Sequence, residues 1–268
     1  MLISELCVEE HRTPFAAVYS SLGCKFGCNF CMINILNRDN TNPDAKSSDF
    51  KIMRHWDPMF FVDQLEILAN YGVKTIRLSD EMFFLNKKFY VPVLEEIIKR
   101  GLDFNMWAYA RVDTVREDQL ALFKKAGINW LCLGIEAGNQ IVRKDIEKGR
   151  FKDINIREVA KMINDYEINI LGNYMFGLPE DSIDTMKETL DLALDLNTEH
   201  ANFYPAQALP GSPLYFEAKT FLHGLFMVED KLSMAHGLET RVPFMDNDLV
   251  DFAMSCPVNL KLNNLMNT

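Results

Sequence analysis

The chain has 268 residues, which suits one large domain or two small ones. Hydrophobic residues make up 48% and charged residues 25%, an ordinary globular composition that excludes a wholly disordered chain. Asp and Glu number 38 against 28 for Lys and Arg, giving a net charge of -10. This acidic balance argues against nucleic acid or an anionic membrane surface as a partner.

The thiol content and the apolar runs indicate a cytoplasmic location. No run approaches the roughly 18 consecutive apolar residues that a membrane span needs, and the opening MLISELCVEEHR lacks the apolar core of a secretory signal. Three cysteines fall close together and three are scattered, unlike a disulfide framework. The six are Cys7, Cys24, Cys28, Cys31, Cys132 and Cys256.

Short apolar runs alternate with longer amphipathic segments between residues 15 and 206. The short runs are predicted to be strands: FAAVYS (15–20), TIRLS (75–79), FNMWAYA (104–110), WLCLGIE (130–136), INILGNYMFG (168–177) and ANFYPA (201–206). The amphipathic segments are predicted to be helices, with capping or stop residues at several ends: 57–72, 89–100, 117–126, 156–166 and 181–196.

Six strands separated by helices predict an α/β fold, with a parallel sheet covered by helices. Right-handed crossovers would curl that sheet into most of a barrel. Chemistry in such folds gathers at the carboxyl ends of the strands. Polar candidates lie there: the cysteines after the first strand, Ser79, Asp80 and Glu81 after the second, and Glu136 at the end of the fourth.

The clustered cysteines have the spacing C-x3-C-x2-C in the segment Cys24-Lys-Phe-Gly-Cys28-Asn-Phe-Cys31. Three thiolates this close can bind one soft metal centre. Structural zinc wants a fourth nearby Cys or His, whereas an iron–sulfur cube with three cysteines keeps one iron open. A zinc knuckle completed by a remote ligand and three free thiols remain as alternatives.

This cysteine spacing, with Phe30 before the last cysteine, resembles the motif of radical S-adenosylmethionine (radical SAM) enzymes. The resemblance extends over residues 14–216 and is closest to the subgroup whose members often carry a cobalamin-binding domain. Further matching segments follow in order: SDEMF (79–83), ARVD (110–113), GIEAGNQIVRKDIEKG (134–149), FGLPEDS (176–182) and ALPGSPLY (208–215).

The resemblance implies a partial (β/α)6 TIM-like barrel with a [4Fe-4S] cluster on Cys24, Cys28 and Cys31. S-adenosylmethionine (SAM) would bind the open iron, and its reductive cleavage would yield a 5′-deoxyadenosyl radical. The implied partners are an electron donor such as a flavodoxin or ferredoxin and an unknown substrate. No cobalamin-binding domain precedes the barrel, so we do not expect cobalamin-dependent methyl transfer from this chain alone.

The resemblance also implies a set of cofactor-binding residues. Phe30 would lie near the adenine, and the stretch 79–81 (Ser79, Asp80 and Glu81) would bind the SAM ammonium group. Arg111 would meet the carboxylate and Glu136 the ribose or amino group. The alternatives are loop packing for Phe30, a solvated acidic strand end for 79–81, and barrel-rim ion pairs for Arg111 and Glu136.

The segment after the barrel has a second, different resemblance. Residues 229–257 resemble part of the synthetase domain of asparagine synthetases, with Glu239, Arg241 and Asp246 at its polar positions. That family's SGG-x-DS loop for ATP is absent from this sequence. We therefore predict a radical SAM barrel at 1–216 and a short, mostly helical synthetase-like fragment at 217–268, and not a working amidotransferase.

Overall fold

The computed structural model describes residues 14–37, 45–146 and 154–217. The chain divides into two compact units, Met1–Phe216 and Glu217–Thr268. Only the first residue of the second unit is described, so the fold below is that of the first unit. Several residues discussed above lie outside the described residues: Cys7, Cys256, Glu239, Arg241 and Asp246.

Six parallel strands form the central sheet, in the spatial order β1-β4-β5-β6-β7-β8. Their bounds are β1 Phe15–Val18, β4 Thr75–Leu78, β5 Asn105–Arg111, β6 Ile128–Glu136, β7 Asn169–Phe176 and β8 His200–Pro205. A separate antiparallel ribbon pairs β2 Ser21–Leu22 with β3 Arg54–His55. The ribbon sits between the first two strands of the sheet along the chain.

Helices connect consecutive strands of the sheet. Their bounds are α1 Pro58–Asn70, α2 Lys87–Lys99, α3 Glu117–Lys125, α4 Gln140–Asp145, α5 Ile156–Asp165 and α6 Ile183–Leu196. Because each strand is followed by at least one helix and then by its parallel neighbour, the sheet curls into part of a barrel. The predicted α/β class and partial (β/α)6 barrel are confirmed. No helix among the described residues is both long and apolar enough to cross a membrane.

The two faces of the sheet carry different side chains because side chains alternate along each strand. The outer face packs against the helices and forms the main core, with Ile76, Leu78 and Met106 almost completely buried. The inner face has Arg77 opposite Trp107 on the neighbouring strand, and Tyr109 two residues further along. The inner face is therefore the one that can bind a ligand.

A local cap begins the first helix where the sequence predicts it. The Asp57 carboxylate accepts hydrogen bonds from the backbone N–H groups of Met59 (2.9 Å) and Phe60 (3.0 Å), and Pro58 occupies the first helical position. Two features were not predicted, the β2–β3 ribbon and α4. Two-residue strands and a six-residue helix are too short for hydrophobic periodicity to reveal.

Candidate functional site

A cavity of about 430 Å³, which we call the barrel cavity, lies at the carboxyl ends of the parallel strands. The three clustered cysteines line one side of it, and inner-face residues of β5 to β8 line the other. Its lining residues are Cys24, Phe26, Cys28, Phe30, Cys31, Ile33, Glu81, Met82, Tyr109, Ala110, Arg111, Cys132, Gly134, Glu136, Asn173, Met175 and Tyr204.

The cysteine loop begins at Gly23, whose backbone no other residue could adopt in this place. Its φ is +85°, and a Cβ atom there would lie 2.2 Å from the carbonyl oxygen of Ile52. A left-handed conformation and a close backbone approach both favour glycine. The chain can therefore turn sharply from the β2–β3 ribbon into the loop that carries Cys24.

Polar side chains outside the motif hold this loop in shape. The buried Asn34 amide accepts a hydrogen bond from Cys24 N (2.7 Å) and donates one to Phe26 O (3.0 Å). The Ser47 hydroxyl donates to the carbonyl oxygen of Cys31 (2.5 Å). Backbone groups near a ligand loop are thus satisfied by side chains rather than by a helix or strand. Sequence reasoning missed both residues because neither belongs to a recognisable spacing.

The segment that follows the last strand also contacts the loop. Leu214 N donates to Asn29 O (2.8 Å), and Ser47 N donates to Gly211 O (2.9 Å). The matching ALPGSPLY segment (208–215) therefore supports the cysteine loop by backbone hydrogen bonds.

The environment of the thiols tests whether an iron–sulfur cluster fits. Burial raises the pKa of Cys24, and it raises the pKa of Cys31 to about 11. Both sulfurs accept backbone hydrogen bonds, from Phe26 N (3.4 Å) and Ile33 N (3.5 Å). Metal ligation needs thiolates, and the positive charge of bound iron would offset the cost of ionising buried thiols.

The three clustered cysteines lie around one cavity. In a [4Fe-4S] cluster each thiolate binds a different iron, so its ligands surround a larger group. Three cysteines lining one cavity have this arrangement, and the residues present fit the cluster.

Four of the six predicted cofactor-binding residues line the barrel cavity, namely Phe30, Glu81, Arg111 and Glu136. Ser79 and Asp80 are buried and are not among the lining residues. The structure therefore brings residues from the cysteine loop and from the ends of β4, β5 and β6 around one space, as the sequence predicts for parallel strands.

Asp80 has a different set of partners. Its carboxylate accepts hydrogen bonds from Ser20 N (3.0 Å), from the Ser20 hydroxyl (2.7 Å) and from the Ser21 hydroxyl (2.5 Å). Ser79 N donates to Val18 O (2.8 Å). These bonds join the end of β4 to the end of β1, directly before the cysteine loop, and so fix the neighbouring Glu81 relative to that loop.

The Glu81 carboxyl group lines the cavity and has a raised pKa. Burial raises the pKa of its carboxyl group, Asp80 adds to the rise, and Arg77 opposes it. A cationic ligand would stabilise the ionised form of this carboxylate, because the positive charge would offset the cost of desolvation.

Arg111 is buried at the end of β5 with two neighbours that sequence reasoning did not pair with it. Its guanidinium forms a two-pronged ion pair with Asp113, with Nε to Oδ1 at 2.9 Å and Nη2 to Oδ2 at 2.6 Å. The guanidinium also lies 3.7 Å from the centre of the Phe26 ring. Both contacts fix the orientation of Arg111 at the cavity wall.

Glu136 ends β6 in an unusual backbone conformation. Its φ is +66°, and the pairing of β6 with β7 shifts register between Gly134 and Glu136. A Cβ atom on Gly134 would lie 2.8 Å from Glu136 Oε1. Left-handed backbone in a residue other than glycine is costly and concentrates at functional sites. Gly134 thus leaves room for a carboxylate directed to the cavity by a bulge.

Phe30 and the loop after β7 pack together at the rim of the cavity. Phe30 contacts a small apolar cluster that includes Leu178 and Ala137. The Asp181 carboxylate holds the loop by accepting from Gly177 N (2.9 Å) and Leu178 N (3.1 Å). The FGLPEDS segment therefore forms a capped turn against which the phenyl ring rests.

Two family models match the sequence. The radical SAM superfamily model matches residues 18–193, and the asparagine synthase model matches residues 156–267. The second match begins inside the barrel, well before the synthetase-like segment recognised from its residues, and overlaps the first.

Curated relatives match the barrel and are longer than this chain. An uncharacterized methyltransferase of Pyrococcus horikoshii is 28% identical over 206 residues, covering 75% of this chain and 41% of that protein. The anaerobic magnesium-protoporphyrin IX monomethyl ester cyclase of Cereibacter sphaeroides is 29% identical over 205 residues, covering 74% and 31%. The chain thus spans less than half the length of these relatives.

A similar fold occurs in the solved structure of TsrM from Kitasatospora setae, a radical SAM methyltransferase with cobalamin and a [4Fe-4S] cluster bound. The TM-score is 0.63 at 18% identity, over 76% of this chain and 36% of that one. Since the radical SAM model spans well over half of the sequence, the chain belongs to the radical SAM superfamily, a family of enzymes whose cofactors are SAM and a [4Fe-4S] cluster.

Proposed function

We propose that Cys24, Cys28 and Cys31 hold the [4Fe-4S] cluster and that the barrel cavity binds SAM beside it. The observation that carries this proposal is that all three thiols line one cavity together with polar residues from three strand ends. When bound and reduced, the cluster would supply the electron for reductive cleavage of SAM to methionine and a 5′-deoxyadenosyl radical, and the substrate would bind in the barrel.

The other cavity residues position SAM. Glu81 binds the ammonium group, since a desolvated carboxylate gains most from a cationic partner. Arg111, held in place by Asp113, binds the carboxylate, and Glu136 binds the ribose or amino group. Phe30 packs against the adenine. Apolar side chains of the lining, such as Met82 and Met175, exclude water from the reacting centre.

Ser79 and Asp80 act indirectly in this proposal. Asp80 is bonded to Ser20 and Ser21, so it holds the strand ends that carry Glu81 and the cysteine loop. Ser79 extends the β4 connection to β1 through its backbone N–H. Neither side chain has to touch SAM to contribute.

The reaction that we propose is modification of an organic small molecule. Support comes from relatives named as methyltransferases and as a magnesium-protoporphyrin IX monomethyl ester cyclase. The electron comes from a low-potential donor such as a flavodoxin or ferredoxin. Because the relatives are longer, further domains can add to the activity of the whole protein.

The test is anaerobic reconstitution of the full chain with iron and sulfide, followed by dithionite and SAM. We expect a brown iron–sulfur chromophore and formation of 5′-deoxyadenosine. The matched controls are Cys28→Ala, which should lose the cluster, and Cys132→Ala, which should keep it. A well-loaded sample that forms no 5′-deoxyadenosine would refute the proposal, and a zinc-bound, colourless product would favour the structural zinc alternative.

A second candidate concerns the carboxyl-terminal unit. The asparagine synthase match over residues 156–267 favours descent of this unit from a synthetase. We propose that the barrel at 1–216 is the working domain and that residues 217–268 are a synthetase-like fragment, in line with the division of the chain into two units. The chain is expected to show no ATP turnover with aspartate, and measurable turnover would overturn this assignment.

A further inference from the structure

Tyr109 presents a hydroxyl group on the inner face of the sheet. The residue lines the barrel cavity, and its phenol oxygen accepts a hydrogen bond from Arg77 Nη2 at 2.8 Å. Among the described residues the structure gives the hydroxyl hydrogen of Tyr109 no acceptor. Tyr109 is half-buried and lines the cavity, so this hydrogen can be donated to a ligand there.

Arg77 places a positive charge directly behind that hydroxyl. Its guanidinium lies 4.8 Å from the centre of the Trp107 ring and 5.6 Å from the centre of the Tyr109 ring. Its charge also reaches the Glu81 carboxylate at the cavity wall, where it opposes the rise of that group's pKa. A cation that donates to a phenol oxygen strengthens the hydrogen bond that the phenol donates onward.

Burial also keeps this donor protonated. Desolvation raises the pKa of Tyr109, although Arg77 acts in the opposite direction. At neutral pH the phenol therefore retains the proton that it would donate.

The part of the barrel cavity around Tyr109, which we call the cavity floor, lies deeper than the residues assigned to SAM. Tyr109 precedes Arg111 by two residues on β5, so its side chain is on the same face and roughly 7 Å nearer the amino end of the strand. Cys132 is its register partner on β6, and Tyr109 packs against the buried cluster of Trp107, Cys132 and Leu171. Tyr204, which interacts electrostatically with Cys132 and Arg77, also lines this part of the cavity. These surroundings are mainly apolar and aromatic.

We propose that this floor is the substrate subsite and that it selects an organic carboxylate with an apolar body. The Tyr109 hydroxyl donates to the carboxylate, with Arg77 as the positioning residue behind it, and the apolar lining receives the rest of the molecule. The inference rests on the proposed function, since the subsite matters only if the radical forms in the same cavity. A donor backed by a cation favours an anionic acceptor over a neutral one.

Binding of a matched pair of probes tests the subsite without turnover. The cluster-loaded full chain, with SAM and without reductant, is titrated with 3-phenylpropionate and with 3-phenylpropionamide, and affinities are measured by calorimetry or by NMR of labelled tyrosines. We expect the acid to bind at least about tenfold more tightly than the amide. The charged carboxylate accepts a stronger hydrogen bond than the neutral amide does.

Substitutions of Tyr109 and Arg77 test whether these two residues cause the preference for the acid over the amide. Tyr109→Phe keeps the ring and should bring the acid and the amide to similar affinity. Arg77→Met should reduce the preference, and Arg77→Lys should restore part of it. Tyr71→Phe, at an exposed helix end, is the matched control and should behave as wild type.

Three outcomes would overturn the inference: no binding of either probe, equal affinity for acid and amide in the wild type, or an undiminished preference in Tyr109→Phe. Formation of 5′-deoxyadenosine by the wild type, assayed separately on the same preparation, tests the proposed function. SAM cleavage without carboxylate preference would overturn the subsite alone. Carboxylate preference without SAM cleavage would overturn the proposed function, and the carboxylate-binding pocket would then lose its role as a substrate subsite.

Discussion

The position of the Glu136 carboxylate depends on the absence of a side chain at Gly134. Glu136 adopts a positive φ, and Gly134 leaves the space that its carboxylate occupies. Sequence reasoning found Glu136 by its place at a strand end. The bulge that turns it toward the cavity could not be predicted, because register shifts depend on pairing with β7 rather than on local pattern.

Gly134→Ala is predicted to weaken SAM binding without unfolding the barrel. The new methyl group would lie 2.8 Å from Glu136 Oε1, so the carboxylate would have to move. We expect roughly tenfold weaker binding, as for loss of a single hydrogen bond, measured by calorimetry on cluster-loaded protein. Glu136→Gln, which keeps the size of the side chain, is the comparison. Wild-type affinity in Gly134→Ala would contradict the arrangement.

His55 is predicted to make the protein less stable in mild acid. Burial lowers the pKa of His55, and its ring packs 4.8 Å from that of Phe89. Because the folded state has the lower pKa, the stabilisation is present above the unfolded pKa and is lost as the pH falls.

Denaturant unfolding from about pH 7 to about pH 5 checks this expectation. The free energy of unfolding of the wild type should fall relative to that of His55→Phe, which has no titrating ring. NMR of labelled histidine should give a pKa below the usual 6.5. A pKa at or above that value would show that the nearby Asp80 carboxylate, which raises the pKa, outweighs desolvation, and would contradict the prediction.

At the scale of elements, the cysteine loop depends on residues distant from its motif. The spacing of the cysteines was evident in the sequence, and so were the strands and helices that repeat with clear hydrophobic periods. Asn34 and Ser47 were not, since single polar residues that bond to backbone leave no periodic pattern. Long periodic elements could therefore be predicted, while the contacts that shape the ligand loop required the folded chain.

Asn34→Ala is predicted to destabilise the loop and to speed the loss of the cluster. The change leaves Cys24 N–H and Phe26 C=O without their side-chain partner, a cost of about 1–3 kcal/mol. Iron–sulfur absorbance should decay faster under chelator than in wild type. Asn70→Ala, on the exposed end of α1, is the control, and equal decay rates in both variants would contradict this role of Asn34.

At the scale of the whole molecule, the three clustered cysteines belong to the first unit of the chain, and their loop is bonded to that unit's last residues. The loop bonds to Gly211 through Ser47 and to Leu214 through Asn29. A cluster bound to the three cysteines of this loop would therefore also stabilise the folded barrel. Any ligand that binds only the folded state has this effect.

Removal of the cluster is predicted to lower the melting temperature of the barrel. For each kcal/mol that the cluster contributes, the expected shift is about 2–4 °C for a domain of this size. Anaerobic calorimetry before and after chelation measures it. Cys28→Ala should show no response to the chelator, and a wild type that melts at the same temperature in both states would exclude the coupling.

The backbone bonds from residues 211–214 to the cysteine loop also set an order of events during biosynthesis. The cysteines leave the ribosome early, but the groups that complete their loop are made almost 200 residues later. Chains emerge at about 5–20 residues per second, so the thiols wait roughly 10–40 seconds before their loop can close. Cluster insertion should therefore follow synthesis of the whole barrel, and nascent chains that stop before Gly211 should not retain iron.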